Sequence, residues 1–134
     1  MADEKEVKTN VTIIGGGLAG CEAAYYLLKR GYAVTMYEAR PEYKDEAHHT
    51  DLLGELVCSN SLKSKSIENA CGLLKEEMRH MGSLTMDSAA QSEVPSGNAL
   101  SVDRDAFAQF NTAKLLSFDS FTLIHREITD LTRM

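Results

Sequence analysis

The chain has 134 residues, enough for one small core and too few for a complete two-domain enzyme. With 20 acidic against 14 basic residues its formal net charge is −6, so composition offers no electrostatic footprint for nucleic acid, although a local basic patch stays open. Three cysteines with no C-x-x-C pair and no apolar stretch of a signal peptide point to reduced thiols in a cytoplasmic setting, and no run approaches the roughly 18 apolar residues of a membrane span.

Residues 1–9 read as a charged, flexible tail, and 10–134 as one domain. Asn10–Ile14 is a β-branched strand that runs into Gly15-Gly16-Gly17-Leu18-Ala19-Gly20. In that turn Gly15 lets the chain leave the strand sharply, Gly17 lets backbone approach a pyrophosphate, and Gly20 lets the following helix pack on the strand. The helix, from about Leu18 to Arg30, carries Ala23, Ala24, Leu27 and Leu28 at helical spacing and stops at Gly31. Cys21 lies in its first turn, where a thiol pKa can fall; a small residue there serves close packing, and Cys21 reads as mainly structural. A second apolar run, Tyr32–Glu38, ends on a carboxylate placed to accept hydrogen bonds from both hydroxyls of an adenosine ribose and to repel a phosphorylated one. FAD or NAD is therefore favoured over NADP. The strand, helix and acidic residue agree around the glycine motif, and the alternative is a βα turn with no ligand.

From Ala39 to Lys65 the chain is polar and aperiodic, as functional loops are. His48, His49, Asp51 and Cys58 match no standard zinc spacing, so a metal is set aside and the histidines read as hydrogen-bonding loop residues. Cys58 sits among Ser59, Asn60 and Ser61 with Lys63 and Lys65 close behind, surroundings that suit a reactive thiol as well as an inert one. The two lysines fit RNA phosphates or a solvated loop equally. Ser66 is the expected N-cap of a helix to about Met81, with Ala70, Leu73, Leu74, Met78 and Met81 on the buried face and Glu76, Glu77 and Arg79 outside; the methionines read as core filler and Gly82 as the stop. Val94–Leu100 is a turn, Asp103 caps a helix bearing Phe107, Phe110 and Ala113, and Arg104 either meets an anion or pairs with a carboxylate. The last run, Phe121–Ile124 continuing to Ile128, is expected to join the first sheet. The fold class is α/β: a Rossmann-like FAD-binding βαβ unit with parallel strands and flanking helices, an incomplete flavoprotein domain.

The runs Ile14-Gly-Gly-Gly-Leu-Ala-Gly-Cys-Glu-Ala-Ala, Tyr37-Glu-Ala-Arg-Pro, Ala47-His-His-Thr-Asp, Glu55-Leu-Val-Cys-Ser-Asn-Ser-Leu, Gly72-Leu-Leu-Lys-Glu-Glu-Met-Arg and Ala99-Leu-Ser-Val-Asp-Arg together resemble the folate- and FAD-dependent tRNA uridine methyltransferases called TrmFO, over almost the whole chain. The departures, Ala39, Glu46, Gly54, Lys63 and Asn98 where that family usually shows methionine, proline, alanine, arginine and glycine, remove no proposed chemical group. The resemblance implies methylation at C5 of a uridine in the T-loop of tRNA, with 5,10-methylenetetrahydrofolate as one-carbon donor and FAD reduced by NADH or NADPH. It implies Gly15, Gly16, Gly17, Leu18, Ala19, Gly20, Glu38 and Arg40 as cofactor-binding and Cys58 as catalytic, the first of two implicated cysteines. A second cysteine, the basic RNA-binding surface and a flavin-contacting segment of that family are expected beyond Met134, so the resemblance is to an amino-terminal portion. A variant of the family acts on a ribosomal uridine, and a flavoprotein family modifying the wobble uridine shares only the glycine run. From a different class, a flavin-binding module without turnover is the alternative; a disulfide oxidoreductase is disfavoured because Cys58 and Cys71 are 13 residues apart.

Overall fold

A computed structural model of the chain describes residues 8–43 and 45–133. Strand β1 (Lys8–Ile14), helix α1 (Leu18–Lys29) and strand β2 (Tyr32–Glu38) form the expected βαβ unit. Of the anticipated tail, residues 1–7 lie outside the described residues, and Lys8 and Thr9 already belong to β1. β2 is the central strand of a parallel sheet ordered β1-β2-β6, with Val11 opposite Val34, Ile13 opposite Met36 and Val34 opposite Phe121 of β6 (Phe121–His125). The final strand thus joins the sheet as expected but stops at His125, three residues before Ile128.

Alternation along β2 turns Val34, Met36 and Glu38 into the protein. They meet Cys21, Ala24 and Leu28 of α1, together with Leu53, Leu84, Leu115 and Phe121, in the larger apolar cluster. Gly20 sets the approach of α1 to β1: a Cβ there would lie 2.0 Å from the Gly15 carbonyl oxygen.

The long connection from β2 to β6 builds a second, antiparallel sheet, β3 (Ser61–Ser64), β4 (Glu93–Val94) and β5 (Ala99–Val102), in the order β3-β5-β4. Its strands are too short for a period of two to show in the sequence. Helices α2 (Ala70–His80), α3 (Leu84–Ser92) and α4 (Arg104–Leu116) complete the layer. Met86, Ala89, Leu100, Val102 and Phe107 form a smaller core there.

Two expectations need correction, both in α2. Helix α2 starts at Ala70, capped by the Asn69 side chain accepting from Gly72 N–H (3.1 Å), and Ser66 instead sits in the turn before it. Its inward stripe is Gly72, Lys75 and Met78, leaving Leu73, Leu74 and Met81 at 48%, 58% and 74% exposure. The reason is steric: a Cβ on Gly72 would sit 1.8 Å from the Ser66 carbonyl, so the chain 66–69 packs on the glycine side and turns the leucines outward. Helix α3 was not anticipated; Ser83 caps it from a nine-residue segment of weak amphipathicity. In α4 the cap is Asp103, accepting from Ala106 N–H at 3.0 Å as expected, but the buried face is Phe107, Ala108, Asn111 and Leu115, and Ala113 is exposed. Among the described residues no helix is long and apolar enough to cross a membrane.

Candidate functional site

The glycine turn has the conformation that its residue types foretell. Gly15 adopts φ +102°, closed to side-chain-bearing residues, while a Cβ on Gly17 would meet nothing within 4 Å. Gly17 is the N-cap of α1 and offers no side chain, whereas Asn69, Ser83 and Asp103 cap α2, α3 and α4 with side-chain oxygens. The start of α1 therefore has no side-chain cap, and the space beside Gly17 is open. That is the arrangement for an anionic ligand, whose charge also opposes the positive end of the helix dipole.

Gly16 belongs to the covering of the turn. Its N–H donates to Glu38 Oε1 (3.0 Å), its carbonyl accepts from Gly54 N–H (2.7 Å), and a Cβ on it would strike Leu53 Cδ2 at 2.5 Å. The segment around Leu53 and Gly54 thus lies directly on the glycine turn.

What holds that segment down is a buried ion network. Glu38, 7% exposed, accepts at Oε2 from the Arg40 backbone N–H and Nε–H, both 2.9 Å. Arg40, 4% exposed, donates through Nη1 to the Thr50 carbonyl (2.7 Å) and Glu55 Oε2 (2.7 Å) and through Nη2 to the Leu52 carbonyl (3.0 Å). Glu55 in turn accepts from the backbone N–H groups of His49 (2.9 Å) and Thr50. Burial alone would raise the Glu38 pKa, but hydrogen bonds from Arg40 and Gly16 and the guanidinium charge outweigh it and hold the carboxyl below the ordinary glutamate range. Glu55 behaves likewise: burial is outweighed by the His49 and Thr50 hydrogen bonds and the Arg40 charge. Arg40, anticipated as a cofactor ligand, has its guanidinium turned inward and committed to the protein. Glu55 and Leu53 were not anticipated as parts of the site; a carboxylate 15 residues from its arginine follows no local pattern.

Cys58 is exposed and lines an open polar cavity of about 650 Å³ with Ser59, Asn60, Val94, Val102, Asp103, Arg104 and Asp105. The fold brings these together because Asn60 pairs reciprocally with Val102, its carbonyl accepting from Val102 N–H (2.9 Å) and its Nδ2–H donating to the Val102 carbonyl (3.2 Å). Two sequence candidates, Cys58 and Arg104, thereby share one cavity. Arg104 has no ion-pair partner among the described residues.

The other candidates are placed apart. Cys21 is 2% exposed, and burial, then the carboxylates of Glu22 and Glu38, push its thiol up to about 12. His48 Nδ1 bonds Asp45 at 2.8 Å in an exposed loop, and among the described residues no three His, Cys, Asp or Glu side chains gather as a metal site. Lys65 pairs loosely with Glu93 (3.7 Å), while Lys63 is exposed and held at φ +72°. A second cavity, of about 430 Å³ among Tyr25, Tyr26, Lys29, Arg30, Met78 and Met81, lies toward the far end of α1 from the glycine turn.

Comparison with known proteins adds three findings. The family described as Glucose inhibited division protein A matches residues 10–134. The chain is similar to proteins named methylenetetrahydrofolate--tRNA-(uracil-5-)-methyltransferase TrmFO: 57% identical over 122 residues in Syntrophus aciditrophicus, covering 91% of this chain and 28% of that protein, and 52% identical in Pelobacter propionicus, covering 91% and 27%. It therefore spans less than a third of the length of these relatives. Among solved structures it resembles Thermovibrio ammonificans THI4 (TM-score 0.51, 19% identity, 89% of this chain and 38% of that one) and MHPCO (TM-score 0.51, 13% identity, 90% and 32%), likenesses that establish the Rossmann-like fold.

Proposed function

The chain belongs to the Glucose inhibited division protein A family, and from that premise we propose that it is the dinucleotide-binding portion, residues 10–134, of a cytoplasmic folate- and FAD-dependent methyltransferase acting on uridine C5 in the T-loop of tRNA. The observation that carries the cofactor assignment is the uncapped start of α1 beside Gly17, where a Cβ would enter open space. The N–H groups of Gly17, Leu18, Ala19 and Gly20 would hold the pyrophosphate of FAD, with Gly15 and Gly16 shaping the turn. Glu38 already accepts three protein hydrogen bonds of the roughly four a carboxylate takes, so it receives one ribose hydroxyl rather than both. Arg40 acts behind it by fixing that carboxylate in its ionised form.

The substrate assignment is supported by the names of relatives at 57% and 52% identity and by the resemblance of the His-His-Thr-Asp and Cys-Ser-Asn-Ser runs. Bound flavin, reduced by NADH or NADPH, supplies the electrons that turn the methylene unit of 5,10-methylenetetrahydrofolate into a methyl group. Cys58 contributes an exposed thiol in a polar cavity, the kind of nucleophile that activates a uracil ring toward carbon. Full-length polypeptide supplied with FAD, NADPH, methylene-labelled folate and unmodified tRNA transcript should label one T-loop uridine, and a ribosomal RNA transcript should stay unlabelled. Bound flavin with no labelled RNA sinks the assignment; label in the ribosomal transcript alone moves it to the variant substrate.

The short coverage of the relatives favours a second reading, in which this chain binds FAD without turnover. Flavin fluorescence on titration with the chain tests binding by itself.

A further inference from the structure

From the Cys58 cavity we infer a base-reading residue: Arg104 recognises the uracil ring itself, through a carbonyl oxygen, and does not hold a phosphate. The inference rests on the RNA-uridine reading above and specifies how that substrate is met.

The composition of the cavity decides between base and phosphate. Its charged lining is Arg104, Asp103 and Asp105, a formal sum of −1, and the rest is the Cys58 thiol, the Ser59 hydroxyl, the Asn60 amide and two valines. A phosphodiester placed there gains one guanidinium and faces two carboxylates, a net repulsion at comparable distances. A uracil edge is neutral and presents acceptor, donor, acceptor: two carbonyl oxygens around one N–H. The lining answers in kind, with guanidinium N–H groups for a carbonyl and carboxylate oxygens for the N–H.

Two structural facts leave Arg104 available for this. Its side chain has no partner among the described residues. Its backbone is fixed, because Asp103 caps α4 through Ala106 N–H (3.0 Å) and Asp103 N–H is tied to the Ser92 carbonyl (2.8 Å). The paired Asn60 and Val102 fix the segment that carries Cys58 next to the one that carries Arg104. A ring read by Arg104 therefore lies in the same cavity as the thiol. Cytosine carries an amino group and an unprotonated ring nitrogen at the positions where uracil carries a carbonyl and an N–H, so the same lining disfavours it.

The test is protection of Cys58 from alkylation in the FAD-loaded full-length polypeptide, using a T-loop RNA hairpin with uridine or cytidine at the target position. Wild type should be protected by the uridine hairpin at a concentration at least about tenfold lower than by the cytidine hairpin. Arg104→Met should abolish that difference by weakening the uridine hairpin alone, and Arg104→Lys should restore part of it. If Arg104→Met weakens both hairpins equally and lowers the salt dependence by about one phosphate contact, the residue holds the backbone and the inference is overturned. Equally, methylation that persists with no protection of Cys58 by either hairpin refutes the base-reading site and leaves the proposed function intact, whereas absence of methylation in wild type refutes the function itself.

Discussion

Replacing Arg40 by methionine isolates the network under the glycine turn. Methionine keeps most of the arginine stem and removes every side-chain donor, leaving Glu38 and Glu55 as buried carboxylates with side-chain exposures of 9% and 7% and Glu38 with the backbone N–H of residue 40. Removing one partner of a buried ion pair costs about 3–5 kcal/mol, and the lost bonds to the Thr50 and Leu52 carbonyls keep the total toward the upper end of that range. For a chain of this size the melting temperature should fall by roughly 10–20 °C. The sign of the pH dependence is the sharper test. Both carboxyls have folded pKa values below the ordinary 4.5, so their contribution is present above that value and is lost as pH falls through the folded pKa. Without the guanidinium the burial cost is no longer outweighed to the same degree and both values rise. The gap between wild type and Arg40→Met should therefore be widest near pH 7 and close only as pH falls below 4.5 through the folded values, toward about pH 3. Urea denaturation followed by far-ultraviolet circular dichroism at the two pH values measures it. A loss under about 1 kcal/mol at pH 7, or a gap independent of pH, would refute the reasoning.

Gly17→Ala and Gly20→Ala should separate binding from folding. The first adds a methyl to open space at φ −79°, so stability should change by less than about 1 kcal/mol while FAD affinity, read by flavin fluorescence, drops at least about tenfold. The second drives a Cβ to 2.0 Å from the Gly15 carbonyl and should cost several kcal/mol, about the scale of a core overpacking or more, seen as loss of the thermal transition. Thiol counting with an aromatic disulfide at pH 8 should find Cys58 and Cys71 reactive in the folded chain and Cys21, buried with its thiol pushed up to about 12, reactive only after denaturation. Lys63→Gly should raise stability by about 1 kcal/mol, because φ +72° strains a residue with a Cβ; an unchanged or lower melting temperature counts against strain there.

The parallel βαβ unit was legible because its signals are local and agree: a β-branched run, a glycine turn, a helical period and a terminal carboxylate lie within thirty-odd residues. Asp103 as a cap and the last strand were legible for the same reason. Two kinds of feature were not. Helix α2 has an apolar stripe by spacing, yet Gly72 fixes which side docks, since close approach of the Ser66 carbonyl wins over three leucine and methionine side chains. That choice depends on where chain 66–69 runs, which no helical period contains. The roles of Arg40 and Glu55 were hidden because their pairing depends on a loop of no period folding back across the turn. Glu38 was readable as a carboxylate at the end of a strand, but its three protein donors come from Gly16 and Arg40 and could be seen only in three dimensions.

These long-range ties explain how an exposed cysteine in an irregular segment acquires a defined position. Glu55, three residues before Cys58, is fixed by Arg40 and by the His49 and Thr50 N–H groups, and Gly54 is bonded to the glycine turn. Asn60, two residues after it, is fixed by Val102 at the end of β5. Only Leu56, Val57, Cys58 and Ser59 lie between the two anchors, too short a span for the thiol to wander far from either. One anchor is tied to the glycine turn and the other to the strand that precedes Arg104. The loop therefore needs no regular structure of its own to set the thiol in the cavity that it shares with Arg104, because each of its ends is held by a defined element.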